Sequence, residues 1–195
     1  MRLSLRHPEG RQRRERGGSA VEAAIVTPVV VAMIFGIIEF GMLFKDYLGV
    51  QSAIRAGVRT ASAEPRNSLF ASDAVAKMRE AGTVINPADV QELWVYKANP
   101  GNDYPFGFTN YSNCTTCVKF TWDSGTQKFI GSTTPTWAAS SQNACTTSAG
   151  GPPDRVGVYL KVRHNAITGI IGNTSISEGS ALFLEPFPAL SGCKP

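Results

Sequence analysis

The residues best able to do chemistry are four cysteines, of which Cys114 and Cys117 form a CxxC pair. A CxxC pair serves thiol–disulfide exchange or supplies half of a zinc site. A redox pair normally begins a helix, whose N-terminus lowers the thiol pKa, whereas the residues from Cys117 onward predict a strand. A zinc site of four cysteines needs a second close pair, and Cys145 and Cys193 are far apart in the sequence. We therefore expect structural disulfides, and neither a metal site nor a redox centre.

All four cysteines follow the apolar segment described below, on the side of the membrane that we expect to be exported. Disulfide formation is the default outside the cytoplasm, and four cysteines allow three pairings. A bridge from one cysteine of the CxxC pair to Cys145 and from the other to Cys193 would tie down both the stretch at 123–153 and the C-terminus. We expect one of these two pairings, between which the sequence does not choose.

Beyond the N-terminal leader the chain has one histidine, His164, at the end of a predicted strand. Neither a cysteine nor an acidic cluster accompanies it, and no glycine-rich phosphate loop, HExxH motif or nucleophile elbow occurs. We therefore interpret His164 as structural. We predict no catalytic residue, cofactor, metal or small-molecule substrate, and a structural protein rather than an enzyme.

A carboxylate and two glycines mark the boundary between a basic leader and an apolar segment. Gly17 and Gly18 end the leader, and Glu22 lies at the start of the apolar residues. If the chain is cut after Gly17, Glu22 becomes the fifth mature residue, as in type IV pilin-like precursors. In a membrane-embedded helical bundle, this carboxylate could pair with the new terminal amine of a neighbouring subunit, because each charge is otherwise unpaired in a low dielectric. The alternative is an interfacial glutamate that reaches water.

The element that must position these residues is an apolar run from Ala23 to Phe44. As a helix it is roughly 33 Å long, which exceeds the hydrocarbon core of about 30 Å. We therefore predict a transmembrane helix over 18–44. Arginines precede it, so the positive-inside rule places the 1–17 leader in the cytoplasm and the remainder outside. A cleaved secretory signal peptide is the competing interpretation, but no A-x-A-like site follows Phe44.

The formal charge of +4 comes entirely from the leader. The first 17 residues hold six arginines and two glutamates, whereas the remainder balances 13 basic against 13 acidic residues. The leader arginines serve topology and contact with anionic membrane lipids. No basic patch is left in the processed chain, and we exclude a nucleic-acid partner.

The N-terminal part of the chain resembles the TadE-like family, the minor pseudopilins of tight-adherence (Flp-type) pilus systems. The matching residues read RGGSAVEAAIVTPVVVAMIFGIIEFGMLF, followed by AIRAGVRTAS. Ala23 departs from the pattern, because such precursors usually carry an aromatic residue after the glutamate. The resemblance implies that a prepilin peptidase removes the leader and that the mature protein helps to build or anchor a pilus. The resemblance depends on Gly17, Glu22, Pro28, Glu39–Gly41 and residues 53–61.

We therefore interpret the chain as a minor pseudopilin that takes part in biogenesis, initiation or anchoring of a tight-adherence type IV-like pilus. Its expected partners are the prepilin peptidase, other pilins or pseudopilins, the pilus assembly platform and membrane lipids. The expected location is the bacterial cytoplasmic membrane, crossed once with the C-terminal domain exported, or a place in the pilus or at its tip. The alternative is an unprocessed, single-pass membrane-anchored envelope domain that binds a ligand or partner.

Four further positions in the predicted span bear on assembly. Pro28 removes one backbone hydrogen bond and can kink the helix. Gly36 and Gly41 allow another helix to approach closely. Glu39 lies roughly 25 Å beyond Glu22 along a helix, near the outer surface. We expect its carboxylate to snorkel to water, and contact with another pseudopilin helix is the alternative.

The predicted fold is α+β, with the long N-terminal transmembrane helix extending over 45–64 into an exported domain at 65–195. Tyr47, Val50, Ile54, Val58 and Ala61 recur at helical spacing, and Pro65 marks the end of the helix. A second helix is predicted over 68–81, with Ser68 or Ser72 as its N-cap.

A small antiparallel sheet follows the two helices in the prediction. Residues 155–163 alternate apolar and other side chains, the period of a half-buried strand. Residues 123–153 are rich in Ser, Thr and Gly, which indicates a long loop that is either mobile or tied down. The other predicted strands are 90–97, 117–122 and 180–186.

Overall fold

The computed structural model describes residues 12–134, 136–145, 151–168 and 172–186. The chain divides into two compact units, Met1–Met42 and Leu43–Pro195. The described part of the first unit is helical, and the second unit combines helices with a sheet. The predicted α+β class is therefore confirmed. Most of the leader at 1–17 lies outside the described residues.

The first helix, α1, runs from Gln12 to Ala63 and continues through Pro28. Within the C-terminal unit it buries Val50, Ile54 and Val58 at helical spacing. It ends two residues before Pro65, as predicted, because a residue that precedes proline disfavours the α conformation. Ser62 is also buried, and its hydroxyl donates to the carbonyl oxygen of Phe183 at 2.5 Å.

The second helix, α2, spans Phe70–Ala81 and ends at Gly82, whose backbone N–H donates to the carbonyl oxygen of Met78. The predicted serine cap is wrong. Ser72 lies inside the helix and donates to the carbonyl oxygen of Leu69, while the side chain of Asn67 accepts from the Leu69 N–H. The asparagine therefore supplies the local polar contact that we assigned to a serine.

Five antiparallel strands form one sheet in the order β3-β2-β1-β4-β5. Two strands differ from the prediction. β3 lies inside the predicted loop at 123–153, where residues 124–127 form the turn of a β2–β3 hairpin. β5 begins six residues earlier than predicted, because polar residues at its start reduce its apolar signal. The bounds are β1 Val90–Ala98, β2 Cys117–Asp123, β3 Lys128–Gly131, β4 Arg155–His164 and β5 Thr174–Phe183.

Both faces of the central strands are covered. Leu93 and Val95 of β1 pack with residues of α1 and α2, whereas Trp94 and Tyr96 of the same strand face a second cluster. β4 divides in the same way, with Val158 in the first cluster and Tyr159 in the second. The strand predicted at 155–163 is therefore confirmed, but its predicted half-burial is wrong, because the segment at 99–116 folds over the face that we expected to be solvated.

Candidate functional site

The part of α1 that precedes the C-terminal unit exposes apolar side chains on all sides. Its large apolar residues from Val21 to Phe40 are 42–71% exposed. Among the described residues, one helix is long and apolar enough to cross a membrane, within Gly17–Ala63, and none of its most apolar window is buried. A soluble protein rarely exposes so large an apolar surface, so this segment is the candidate site of membrane insertion and assembly.

Gly17 and Gly18 lie inside α1 and are exposed. A Cβ atom added at either position would meet no atom within 4 Å. Glycine in a helix interior costs about 1 kcal/mol relative to alanine. Since packing does not require these glycines, the fold itself gives no reason for them.

Glu22 is exposed, five positions beyond Gly17 on the same helix. In the described part of the chain it makes no hydrogen bond or ion pair, so its carboxylate is available to a partner. One turn later, Thr27 donates its hydroxyl to the carbonyl oxygen of Ala23 at 2.6 Å. That bond satisfies the hydroxyl within the helix, immediately before Pro28.

Gly36, Gly41 and Glu39 occupy the outer half of the apolar segment. An added Cβ at Gly36 or Gly41 would meet open space, which leaves both positions accessible to another helix. Glu39 behaves differently from our expectation. Its side chain is 1% exposed and has an interaction partner, so protein atoms rather than water surround the carboxylate. The snorkelling prediction for Glu39 is therefore wrong.

The disulfide pairing also differs from the prediction. Cys114 bonds to Cys117, with Cα atoms 6.0 Å apart, so the expected bridges from this pair to Cys145 and Cys193 are wrong. The chain bends at Thr115 and Thr116 before β2 begins, which brings the two cysteines within the Cα distance of about 4.4–6.8 Å usual for disulfides. Cys145 is also disulfide-bonded, and no cysteine in the described ranges is free. Cys193 lies outside the described residues.

His164, the last residue of β4, is 3% exposed and contacts a residue that the sequence did not suggest. Its Nδ1 lies 2.7 Å from Oδ2 of Asp46 on α1. Its Nε2 is buried and has no hydrogen-bond partner among the described residues. The described residues contain no group of three or more potential metal ligands around it or elsewhere. The pair joins the sheet to α1 at the end of the unit where α1 enters.

The segment at 99–116, which we call the tyrosine loop, packs on the outer face of the sheet. The ring of Tyr111 stacks on Tyr159 of β4 with centroids 4.5 Å apart. Tyr96 donates its hydroxyl to the carbonyl oxygen of Asp103, and the Asp103 carboxylate lies 2.5 Å from Arg155 Nη2. Burial raises the pKa of the Tyr96, Tyr111 and Tyr159 hydroxyls, which keeps this cluster neutral.

Two glycines inside the strands are the feature of the sequence that indicates this cluster. Glycine inside a strand often marks a place where another group approaches the backbone closely. An added Cβ at Gly157 would lie 2.3 Å from Cζ of Tyr96, and one at Gly179 would lie 2.3 Å from the hydroxyl oxygen of Tyr111. Each glycine therefore makes room for one tyrosine ring.

Comparison with known protein families gives a match over the apolar helix. A family model described as "TadE-like protein" matches residues 17–59. No curated protein and no solved structure matches the chain significantly. The match begins at Gly17, the last residue of the predicted leader, and ends within the last two turns of α1. Over residues 17–59, the chain therefore matches the TadE-like family that the sequence indicated.

Proposed function

We propose that this chain is a minor pseudopilin that takes part in the biogenesis, initiation or anchoring of a tight-adherence pilus. The observation that carries the proposal is the coincidence of the TadE-like match with the exposed apolar part of α1. The segment crosses the cytoplasmic membrane once in this proposal, with its N-terminus inside and the C-terminal unit exported. Pilins of the same system and its assembly platform are the proposed partners.

In this proposal a prepilin peptidase cuts between Gly17 and Gly18. Support comes from the two glycines, which are exposed in α1 and unnecessary for packing. The cut would release a terminal amine on Gly18, four residues before Glu22, whose carboxylate is exposed. The amine of one subunit and the Glu22 carboxylate of the next would then neutralise each other within the membrane.

We also propose that the protein is not an enzyme. His164 is buried and its Nδ1 faces Asp46, and both cysteines of the CxxC pair are buried in a closed disulfide. These residues are the ones whose types suggested chemistry. Their contacts give each a structural explanation.

The direct test is N-terminal sequencing of the protein extracted from membranes of a host that carries the complete pilus system. The wild-type chain should begin Gly18-Ser19-Ala20, and Gly17→Val should retain the leader. Gly36→Ala is the matched control, because it replaces another glycine of α1 that has open space around it and should be processed normally. A wild-type protein that still begins near Met1 would instead support an unprocessed membrane-anchored envelope domain.

A further inference from the structure

The end of the C-terminal unit at which α1 enters exposes several apolar side chains. Three of them, Phe44, Tyr47 and Leu48, lie on α1 and are 54%, 38% and 52% exposed. Two others lie in loops: Val84, between α2 and β1, is 44% exposed, and Ile167, after β4, is 65% exposed. We call these five residues the collar, and all of them belong to the unit Leu43–Pro195.

Contacts within the unit place both loops at the level of the first turns of this part of α1. Val84 packs against the helix at Gly49, since a Cβ added at Gly49 would lie 2.3 Å from Val84 Cγ2. The contact between Asp46 and His164 fixes the end of β4 one turn earlier, three residues before Ile167. Asn165 then donates to the carboxylate of Asp89 at 2.8 Å, which joins the two loops. The three collar residues of α1 and the Val84 contact at Gly49 therefore occupy a height of roughly 7.5 Å along α1, the rise of residues 44–49.

We propose that the collar rests in the lipid surface and holds the C-terminal unit against the membrane. This inference depends on the membrane span of the proposed function, because the collar begins where the apolar run of α1 ends. Its height matches the depth of about 5–10 Å to which apolar side chains of interfacial segments enter a bilayer. Tyr47 fits this level as well, because tyrosine rings are enriched at the boundary between lipid and water.

The charges around the collar identify the kind of lipid contact. Lys45 is exposed, and Asp46 faces His164. Asp89 accepts the hydrogen bond from Asn165. With cationic and anionic groups both present, the collar offers no surplus of positive charge for acidic headgroups. The collar therefore inserts through its apolar side chains and binds neutral lipid as well as anionic lipid.

The test uses the full chain in phosphatidylcholine vesicles that contain brominated acyl chains, which quench nearby tryptophan fluorescence. One tryptophan is added at a time, by Val84→Trp or Ile167→Trp, and the signal of the three native tryptophans is subtracted with the wild-type protein. Leu69→Trp is the matched control, because Leu69 is 56% exposed and lies immediately before α2, beyond the C-terminal end of α1. Phe35→Trp reports whether the apolar part of α1 lies within the bilayer. Near-UV circular dichroism verifies that each variant is folded.

We expect Val84→Trp and Ile167→Trp to be quenched at least about threefold more than Leu69→Trp, since interfacial side chains lie within about 10 Å of the acyl region. Adding phosphatidylglycerol or salt should leave the difference unchanged. If Val84→Trp does not fold, the more exposed Ile167→Trp carries the test.

Three results would overturn the collar. In the first, Val84→Trp and Ile167→Trp are quenched as weakly as Leu69→Trp while Phe35→Trp is strongly quenched. That result would show that α1 crosses the membrane but that the C-terminal unit does not rest on it. Quenching that requires anionic lipid would show an electrostatic contact instead. Weak quenching at 35 would contradict the membrane span itself, and the collar would be rejected together with it.

Discussion

The imidazole of His164 and the carboxylate of Asp46 meet at 2.7 Å although 118 positions separate them in the sequence. The contact joins the end of β4 to the first turns of α1 in the C-terminal unit. His164 is buried, whereas the Asp46 side chain is 22% exposed. The two residues therefore depend on the contact to different degrees, because Asp46 retains water as an alternative partner and the buried imidazole does not.

This asymmetry predicts the effect of replacing Asp46. Asp46→Ala should lower the free energy of unfolding of the C-terminal unit by about 1–3 kcal/mol, because it leaves a buried N–H without an acceptor. Asp46→Asn should cost less, since its amide oxygen can still accept from His164. Denaturant unfolding of the full chain in detergent, followed by tryptophan fluorescence, measures both. Lys45→Ala, a neighbouring exposed position, is the control, and equal stability of all three variants would show that the contact contributes nothing.

A second prediction concerns the close contact of Gly157 and Tyr96. Tyr96 is fully buried and its hydroxyl is bonded to the Asp103 carbonyl, so its ring cannot move away from an added Cβ. Gly157→Ala should therefore destabilise the unit by about 1–3 kcal/mol, the usual cost of overpacking a core.

Two companion variants make the Gly157 prediction specific. Gly101→Ala, in the tyrosine loop with open space around it, should be nearly neutral. Combining Gly157→Ala with Tyr96→Leu should cost less than the sum of the single changes, because the smaller side chain leaves room for the methyl group. Additive effects in thermal unfolding would show that this ring is not what the alanine meets.

The sequence predicted elements whose apolar pattern is local, and it failed where distant segments meet. α1 and four of the strands follow from helical spacing or alternation within each segment. β3 was missed because its four residues are too short for a periodic signal and lie in a polar stretch. The burial of Gly157 and Tyr159 depends on the tyrosine loop folding back from another part of the chain, which alternation along β4 cannot show.

The residues of the candidate site likewise fall into those that local spacing predicts and those that depend on distant contacts. Gly17, Gly18 and Glu22 could be proposed from the sequence because their spacing along one helix is the signal. The cysteine pairing, the burial of Glu39 and the partner of His164 depend on three-dimensional contacts. For the cysteines we preferred bridges that tie down long segments, but a bend of two residues already brings Cys114 and Cys117 together.

A third prediction follows from the buried tyrosines. Burial raises the pKa of the Tyr96 hydroxyl above its ordinary value, so the folded state favours the neutral form. The resulting stabilisation is complete below the ordinary tyrosine pKa of about 10, and is lost as the pH rises from there toward the folded-state pKa. The C-terminal unit should therefore become steadily easier to unfold above about pH 10.

Alkaline titration with simultaneous detection of phenolate absorbance and tryptophan fluorescence checks this prediction. Ionisation of the buried tyrosines should coincide with unfolding. Tyr96→Phe, which removes a buried hydroxyl, should reduce the slope of stability against pH. Full ionisation of all five tyrosines in the folded protein would contradict the assignment of a neutral buried cluster.

The last predictions separate the two glutamates of α1. Glu39 is buried with a partner in the protein, so Glu39→Gln should act on the fold itself. Replacing its carboxyl group by an amide should lower the thermal unfolding midpoint in detergent, with a cost of about 1–3 kcal/mol. An unchanged midpoint would show that the carboxyl group of Glu39 is unimportant for folding.

Glu22 is exposed and makes no contact in the described part of the chain, so Glu22→Ala should leave the unfolding midpoint unchanged. Its effect should appear in assembly, because removing one member of a buried charge pair typically costs about 3–5 kcal/mol by leaving the other charge unpaired. Such a loss is large enough to abolish co-purification with pilin partners from mild detergent and to reduce the number of surface fibres. Glu22→Asp, which keeps the charge, should retain part of the association. Normal co-purification of Glu22→Ala would mean that this glutamate is an interfacial residue without a role in assembly.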